Sequence, residues 1–86
     1  MWKTKIKRKM EKKLAAMPRN VQVLVAELKK DLECRGPVQG GWENYSKLYG
    51  GGHHCHLTLH YVACWKEIDK ENIEIYYIGQ REGAPY

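Results

Sequence analysis

The sequence predicts an α+β fold, a small single domain in which one strand and a helical hairpin precede a three-stranded, mostly antiparallel sheet. Three observations carry that expectation. Apolar residues recur at helical spacing between residues 10 and 32, and after Gly36 the period changes to two. A Gly36-Pro37 pair stands at the change and stops a helix. A chain of 86 residues buries only about 60–65% of its unfolded surface, enough for one core and no second lobe, so the domain is expected to span 1–86.

The elements follow in order. "WKTKI" alternates and predicts a short strand over 2–6, after which Met10, Leu14 and Met17 mark one face of a short helix. Pro18 interrupts it, and Val21, Leu24, Val25, Leu28 and Leu32 then line one face of a second helix that ends at Gly36. "GPVQGG" is a loop, "WENYSKL" is irregular or weakly extended, and "YGGG" is a turn. "HHCHLTLHYVACWKEI" alternates, with Cys55, Leu57, Leu59, Tyr61, Ala63 and Trp65 on one parity. As one strand, residues 54–66 would span about 43 Å at about 3.3 Å per residue. A domain with a radius of gyration near about 12 Å does not hold such a strand, so the chain is expected to fold back near Thr58-Leu59. "DKEN" is a turn, and "IEIYYIG", apolar on both faces, reads as a central strand with at least one of Tyr76 and Tyr77 in the core.

Charge is lopsided. The formal net charge is +5, and residues 1–13 hold seven bases (Lys3, Lys5, Lys7, Arg8, Lys9, Lys12 and Lys13) against Glu11 alone. The rest of the chain is nearly neutral. A basic end on a neutral body attracts polyanions through counterion release, although a solvated lysine-rich helix face has the same composition. No apolar run approaches the roughly 18 residues of a membrane span, no signal peptide precedes the domain, and Cys34, Cys55 and Cys64 make an odd count. These features point to a cytoplasmic protein with reduced thiols and no membrane partner.

All four histidines lie in "HHCHLTLH", residues 53–60. His54 and His56 share one face of any strand, opposite Cys55 and Leu57. An imidazole that titrates near pH 6.5 can take or give a proton at neutral pH, so the pair is suited to acid–base chemistry; the bland alternative is two solvated histidines. His53 follows three glycines and reads as a loop residue. His60 and Cys64 add zinc-type ligands, but no second C-x-x-C or H-x₃₋₅-H arm completes a site, so no metal and no cofactor is expected. Tyr45, Tyr49 and Tyr86 are available to stack on bases or to pack around Trp42, and Trp42 and Trp65 read as structural.

The element order, with "AAMPRNVQ", "GGWENYSKL", "HHCHL", "YVACW" and "IEIYYIGQREGAPY", resembles the RelE/ParE superfamily of toxin–antitoxin toxins, most of all its RelE-type cytotoxic translational repressors. The resemblance covers nearly the whole chain. It implies a ribonuclease that cuts mRNA on the ribosome without a metal, by attack of a ribose 2′-OH on the adjacent phosphate, and that is restrained by a cognate antitoxin. Matched by position, Arg81 is implied at the scissile phosphate and Tyr86 as the aromatic that supports the base. His54 and His56 fall where relatives carry lysines and would serve as general base and acid, with His60 and Lys47 assisting. RNA contacts are implied for Lys47, Tyr45 and the basic residues Lys5, Lys7, Arg8, Lys9, Lys12 and Lys13. Two departures stand out: only "TLH" joins "HCHL" to "YVACW", where relatives have a longer basic turn, and no helix follows Tyr86. A ParE-like inhibitor of DNA gyrase and an inactive binding relative are the alternatives, the first disfavoured by the histidine cluster and the second kept open by the shortened turn.

Overall fold

The computed structural model describes all residues from 1 to 86. Strand β1 (Lys3–Ile6) is followed by helices α1 (Arg8–Leu14) and α2 (Arg19–Arg35), then by β2 (Ser46–Lys47), β3 (Gly52–His56), β4 (Tyr61–Glu67) and β5 (Asn72–Gln80), and by a 3₁₀ turn at Arg81–Gly83. The strands form one sheet in the order β1-β5-β4-β3-β2. Only the β1–β5 pair is parallel, and β5 is central, as its two apolar faces required. The sheet exceeds the expected count by β2, a two-residue edge strand that "WENYSKL" was too short and too polar to announce.

Both helices cover the same face of the sheet. Met10 of α1 and Val21, Val25, Leu28 and Leu32 of α2 meet Cys55, Leu57, Ala63, Trp65, Ile73, Ile75 and Ile78 in one core. Each large aliphatic side chain so buried contributes about 1.5–3 kcal/mol. Helix α2 ends at Gly36 for two reasons. Its φ of +85° is left-handed, and a Cβ there would lie 2.8 Å from the Trp2 indole nitrogen, so only glycine fits.

The chain does fold back between β3 and β4, with Cys55 opposite Ala63 and His56 opposite Val62. No glycine or asparagine is needed because Thr58 builds the turn itself: its hydroxyl accepts the backbone N–H groups of His60 and Tyr61 at 3.3 and 3.1 Å. Leu59 is therefore not a core residue; it stands at the tip of the turn, 71% exposed. The expected "DKEN" turn is made by Asp69, whose carboxylate accepts the N–H groups of Glu71 and Asn72.

A β-bulge sets the chemistry of the other face. Ala63 lies opposite Ile78 and Trp65 opposite Ile75, so two steps along β4 match three along β5. Ile75 and Ile78 can thus both face the helices, while Tyr76 and Tyr77 both turn to the helix-free face, where their hydroxyls crowd Gly52 and Gly79 respectively. Tyr77 still touches the margin of the core. No helix is long and apolar enough to cross a membrane.

Candidate functional site

In the β3–β4 register, residues of even number share the helix-free face: Gly52, His54 and His56 on β3, Val62, Cys64 and Lys66 on β4. Ser46 joins them from β2, opposite His54. His54 and His56 therefore point away from the helices, as the strand period required. Their ring centroids lie 6.1 Å apart.

The two imidazoles differ sharply in surroundings. His54 is only 9% exposed, because the Tyr86 ring stacks on it at 4.4 Å and 12°. Its Nε2 meets the Ser46 hydroxyl at 2.8 Å, and its Nδ1 is buried without a partner. Burial first, and then the neighbouring His56, push its pKa below the usual imidazole value. His56 is half-buried; its Nδ1 meets the Asn44 amide nitrogen at 3.2 Å. Asn44 has a left-handed φ of +51°, a conformation asparagine tolerates better than most residues. With Nδ1 accepting from Asn44, the proton of the neutral ring sits on Nε2.

The segment after β5 closes over this face. The Arg81 N–H donates to the His60 carbonyl at 2.9 Å, continuing the β4–β5 ladder by one step and bringing these two residues side by side. Tyr86 then reaches back to lie on His54. The Tyr86 phenol is pushed up by burial and by Cys64, and held back by the positive charge of Arg81, which is near enough to act on it. Cys64 itself is fully buried, and that burial raises its thiol to about 12, so it stays protonated and inert.

Other expected residues sit elsewhere. Tyr45 is not free to stack on a base: its ring lies on the helix-covered side with His53 and Trp65, at 5.9 and 6.0 Å, and its hydroxyl meets His53 Nδ1 at 2.7 Å. His53 is not a loop residue either. It belongs to β3, stacks on Trp65 at 7°, and has its pKa lowered chiefly by burial, against an opposing pull from Glu67. This aromatic tier is anchored by the Trp65 indole N–H, which donates to the Pro37 carbonyl at 2.9 Å. Lys47 is exposed on the edge strand and borders the space beside Tyr86.

The basic amino-terminal residues are not gathered at the histidines. Arg8, Lys9, Lys12 and Lys13 project from α1 on the helix-covered side, and β1 is three strand spacings from β3, roughly 14 Å. On β1, Lys3 and Lys5 share the helix-free face, and Lys5 lies 3.9 Å from Glu74. It begins a cross-strand row, Lys5–Glu74–Lys66–Gly52, that leads to the site. Nothing in the sequence singles out Lys66, whose parity with His54 and His56 follows from the hairpin register. Its ammonium lies 5.6 Å from the centroid of the Tyr76 ring, a cation–π distance. Asn44 and Ser46 carried no sequence signal, because their value depends on the pairing of β2 with β3.

No group of three or more histidine, cysteine or acidic side chains is arranged to hold a metal ion. No protein-family model matches the chain, and no curated protein matches its sequence. Solved structures do match. The YoeB dimer from Staphylococcus aureus superposes with a TM-score of 0.73 at 14% identity, covering 93% of this chain and 97% of that one. The YoeB–YefM complex from Staphylococcus aureus gives 0.74 at 13%, covering 94% and 98%. The archaeal RelE–RelB complex from Pyrococcus horikoshii OT3 gives 0.74 at 17%, covering 96% and 98%. The chain has the fold of the YoeB and RelE toxins over essentially its whole length.

Proposed function

We propose that this protein is the toxin of a toxin–antitoxin pair, a metal-independent endoribonuclease that represses translation by cutting mRNA on the ribosome. The observation that carries the reading is the convergence of His54, His56 and Tyr86 on the helix-free face of a RelE-type sheet, with the Arg81 charge acting on Tyr86. Two imidazoles and a guanidinium are sufficient for the chemistry. A ribose 2′-OH gives its proton to one imidazole and forms a bond to phosphorus. The bond from phosphorus to the 5′-oxygen breaks, and the other imidazole returns a proton to that oxygen. The products are a 2′,3′-cyclic phosphate and a 5′-hydroxyl. Arg81 balances the charge that builds on the phosphate oxygens, the term that usually dominates such reactions.

The geometry supports an order for the two histidines. His56 is the general acid as its imidazolium, with the Asn44 amide turned so that its oxygen accepts from Nδ1 while the Nε2 proton goes to the 5′-oxygen. His54, held neutral by burial, is the base and works once Tyr86 has moved off its face. His60 and Lys47 assist at the edges of the site. Lys5, Lys7, Arg8, Lys9, Lys12 and Lys13 grip RNA phosphates beyond it, around the β1 edge. A cognate antitoxin of net negative charge restrains the toxin by covering the same face.

The test is induced expression in cells with primer extension on a reporter mRNA, comparing the wild type with His54→Ala/His56→Ala and with Arg81→Ala. Cuts within translated codons in the wild type alone are the expected result. Growth arrest with DNA damage and no cuts refutes the nuclease and moves the protein to the gyrase inhibitors. Absence of toxicity from folded protein leaves an inactive binding relative.

A further inference from the structure

The two imidazoles of the site are held at different nitrogens. His56 is held at Nδ1, by Asn44 at 3.2 Å, and His54 at Nε2, by the Ser46 hydroxyl at 2.8 Å. The Ser46 contact follows from the register, which sets Ser46 of the edge strand β2 opposite His54. The other nitrogen of His54, in a ring only 9% exposed, is left buried and unpartnered. Cys64 across the strand, His56 along it and Tyr86 stacked on the ring all adjoin His54, yet none of them bonds Nδ1. Such an atom is uncommon inside a folded chain, where buried polar groups are paired.

Which nitrogen carries the proton decides what that atom can do. A serine hydroxyl can donate or accept. If Ser46 donated to Nε2, the proton of the neutral ring would lie on Nδ1, a buried N–H with nothing to receive it. If Ser46 accepts from Nε2, Nδ1 is a bare lone pair. Unpaired buried donors are rarer than unpaired buried acceptors, and Ser46 is exposed, so water can receive its own proton. The second arrangement is therefore the favoured one. Burial, with His56 beside it, keeps the ring neutral, which leaves the lone pair free at neutral pH. We propose that Ser46 is a positioning residue that fixes His54 with its proton on Nε2, so that Nδ1 is the atom that takes the proton of the ribose 2′-OH. That hydrogen moves to Nδ1 and the 2′-oxygen bonds to phosphorus. The Ser46 oxygen goes on accepting the Nε2 proton of the imidazolium that forms. These roles rest on the nuclease reading above.

The test uses the full chain and two variants of similar shape, Ser46→Thr, which keeps the hydroxyl, and Ser46→Val, which lacks it. Both side chains suit a strand. Long-range proton–nitrogen NMR correlations, recorded where the ring is neutral and assigned by their loss in His54→Gln, report which nitrogen is protonated. The wild type and Ser46→Thr are expected to show a protonated Nε2 and a bare Nδ1, and Ser46→Val a mixture of the two forms. Cleavage is followed in single turnovers on ribosomes carrying a reporter mRNA. The saturated rate of Ser46→Val is expected to fall by roughly 5- to 150-fold, the range set by losing one hydrogen bond to a buried group. Half-saturation should not change, because Ser46 holds the ring and not the RNA, and Ser46→Thr should keep the wild-type rate. A wild-type Nδ1 that carries the proton, or a Ser46→Val variant that keeps either the tautomer or the rate, overturns the proposal. The NMR needs no RNA, so the two readings fail separately. The expected tautomers without any cleavage keep the hold of Ser46 on the ring and refute the nuclease. Cleavage at equal rates by Ser46→Thr and Ser46→Val keeps the nuclease and refutes the role of Ser46.

Discussion

Replacing Tyr86 by alanine removes the ring that covers His54, and the structure sets the size of the effect. Tyr86 is 54% exposed, so about half the value of burying a large side chain is at stake, roughly 1 kcal/mol. The stack on His54, at 4.4 Å and 12°, adds about 0.5–1.5 kcal/mol. Tyr86→Ala should therefore release the segment after β5 at a cost of about 1.5–2.5 kcal/mol and leave the core intact, because Tyr86 is not among the residues packed on it. The sharper consequence concerns protonation. His54 is held below the usual imidazole value first by burial, and uncovering one ring face returns water to it. Its pKa must rise toward 6.5. The assay is an NMR titration of the imidazole carbon-bound protons in both proteins, with His53 as internal reference, since its burial comes from the opposite side of the sheet. A His54 titration that Tyr86→Ala leaves unmoved would refute the claim that this ring controls the site.

Three further outcomes are expected. Ser46→Ala leaves both nitrogens of the His54 ring without a protein partner and should lower stability by about 1–3 kcal/mol in urea unfolding; no loss would mean the 2.8 Å contact carries no weight. Trp65→Phe keeps an aromatic against His53 but orphans the Pro37 carbonyl and opens a small cavity, for a loss of about 2–4 kcal/mol in the same measurement. Stability should also depend on pH in a defined sense. The folded pKa values of His53 and His54 both lie below 6.5, so between those values and 6.5 the unfolded chain binds more protons. Their contribution is fully present above pH 6.5 and is lost as pH falls through the folded values; a urea midpoint that rises on acidification from pH 7 to 5 contradicts it.

Much of the architecture was legible in the sequence because it rests on local chemistry. The Val21–Leu32 stripe, the Gly36 stop and the alternation through Cys55, Ala63 and Trp65 each follow from the period of one element and the need to bury one face. The same period put His54 and His56 opposite the core before any pairing was known. The remaining features depend on how separate elements meet. The bulge at Cys64/Trp65 sends Tyr76 and Tyr77 to the same face, a choice that depends on the partner strand's register. Pairing of β2 brings Ser46 to His54, and the approach to it brings Asn44 to His56. Tyr45, open in sequence to stacking on a base or packing around Trp42, and His53, which reads there as a loop residue, are drawn into the Trp65 stack because α2 and its following loop close over that side. The burial of His54 is the clearest case. Strand alternation is enough to put an imidazole on the helix-free face, since strand geometry is a property of neighbours in the chain. Whether that imidazole meets water or the ring of a tyrosine 32 positions away is settled by the path of the chain after β5, which no local pattern encodes.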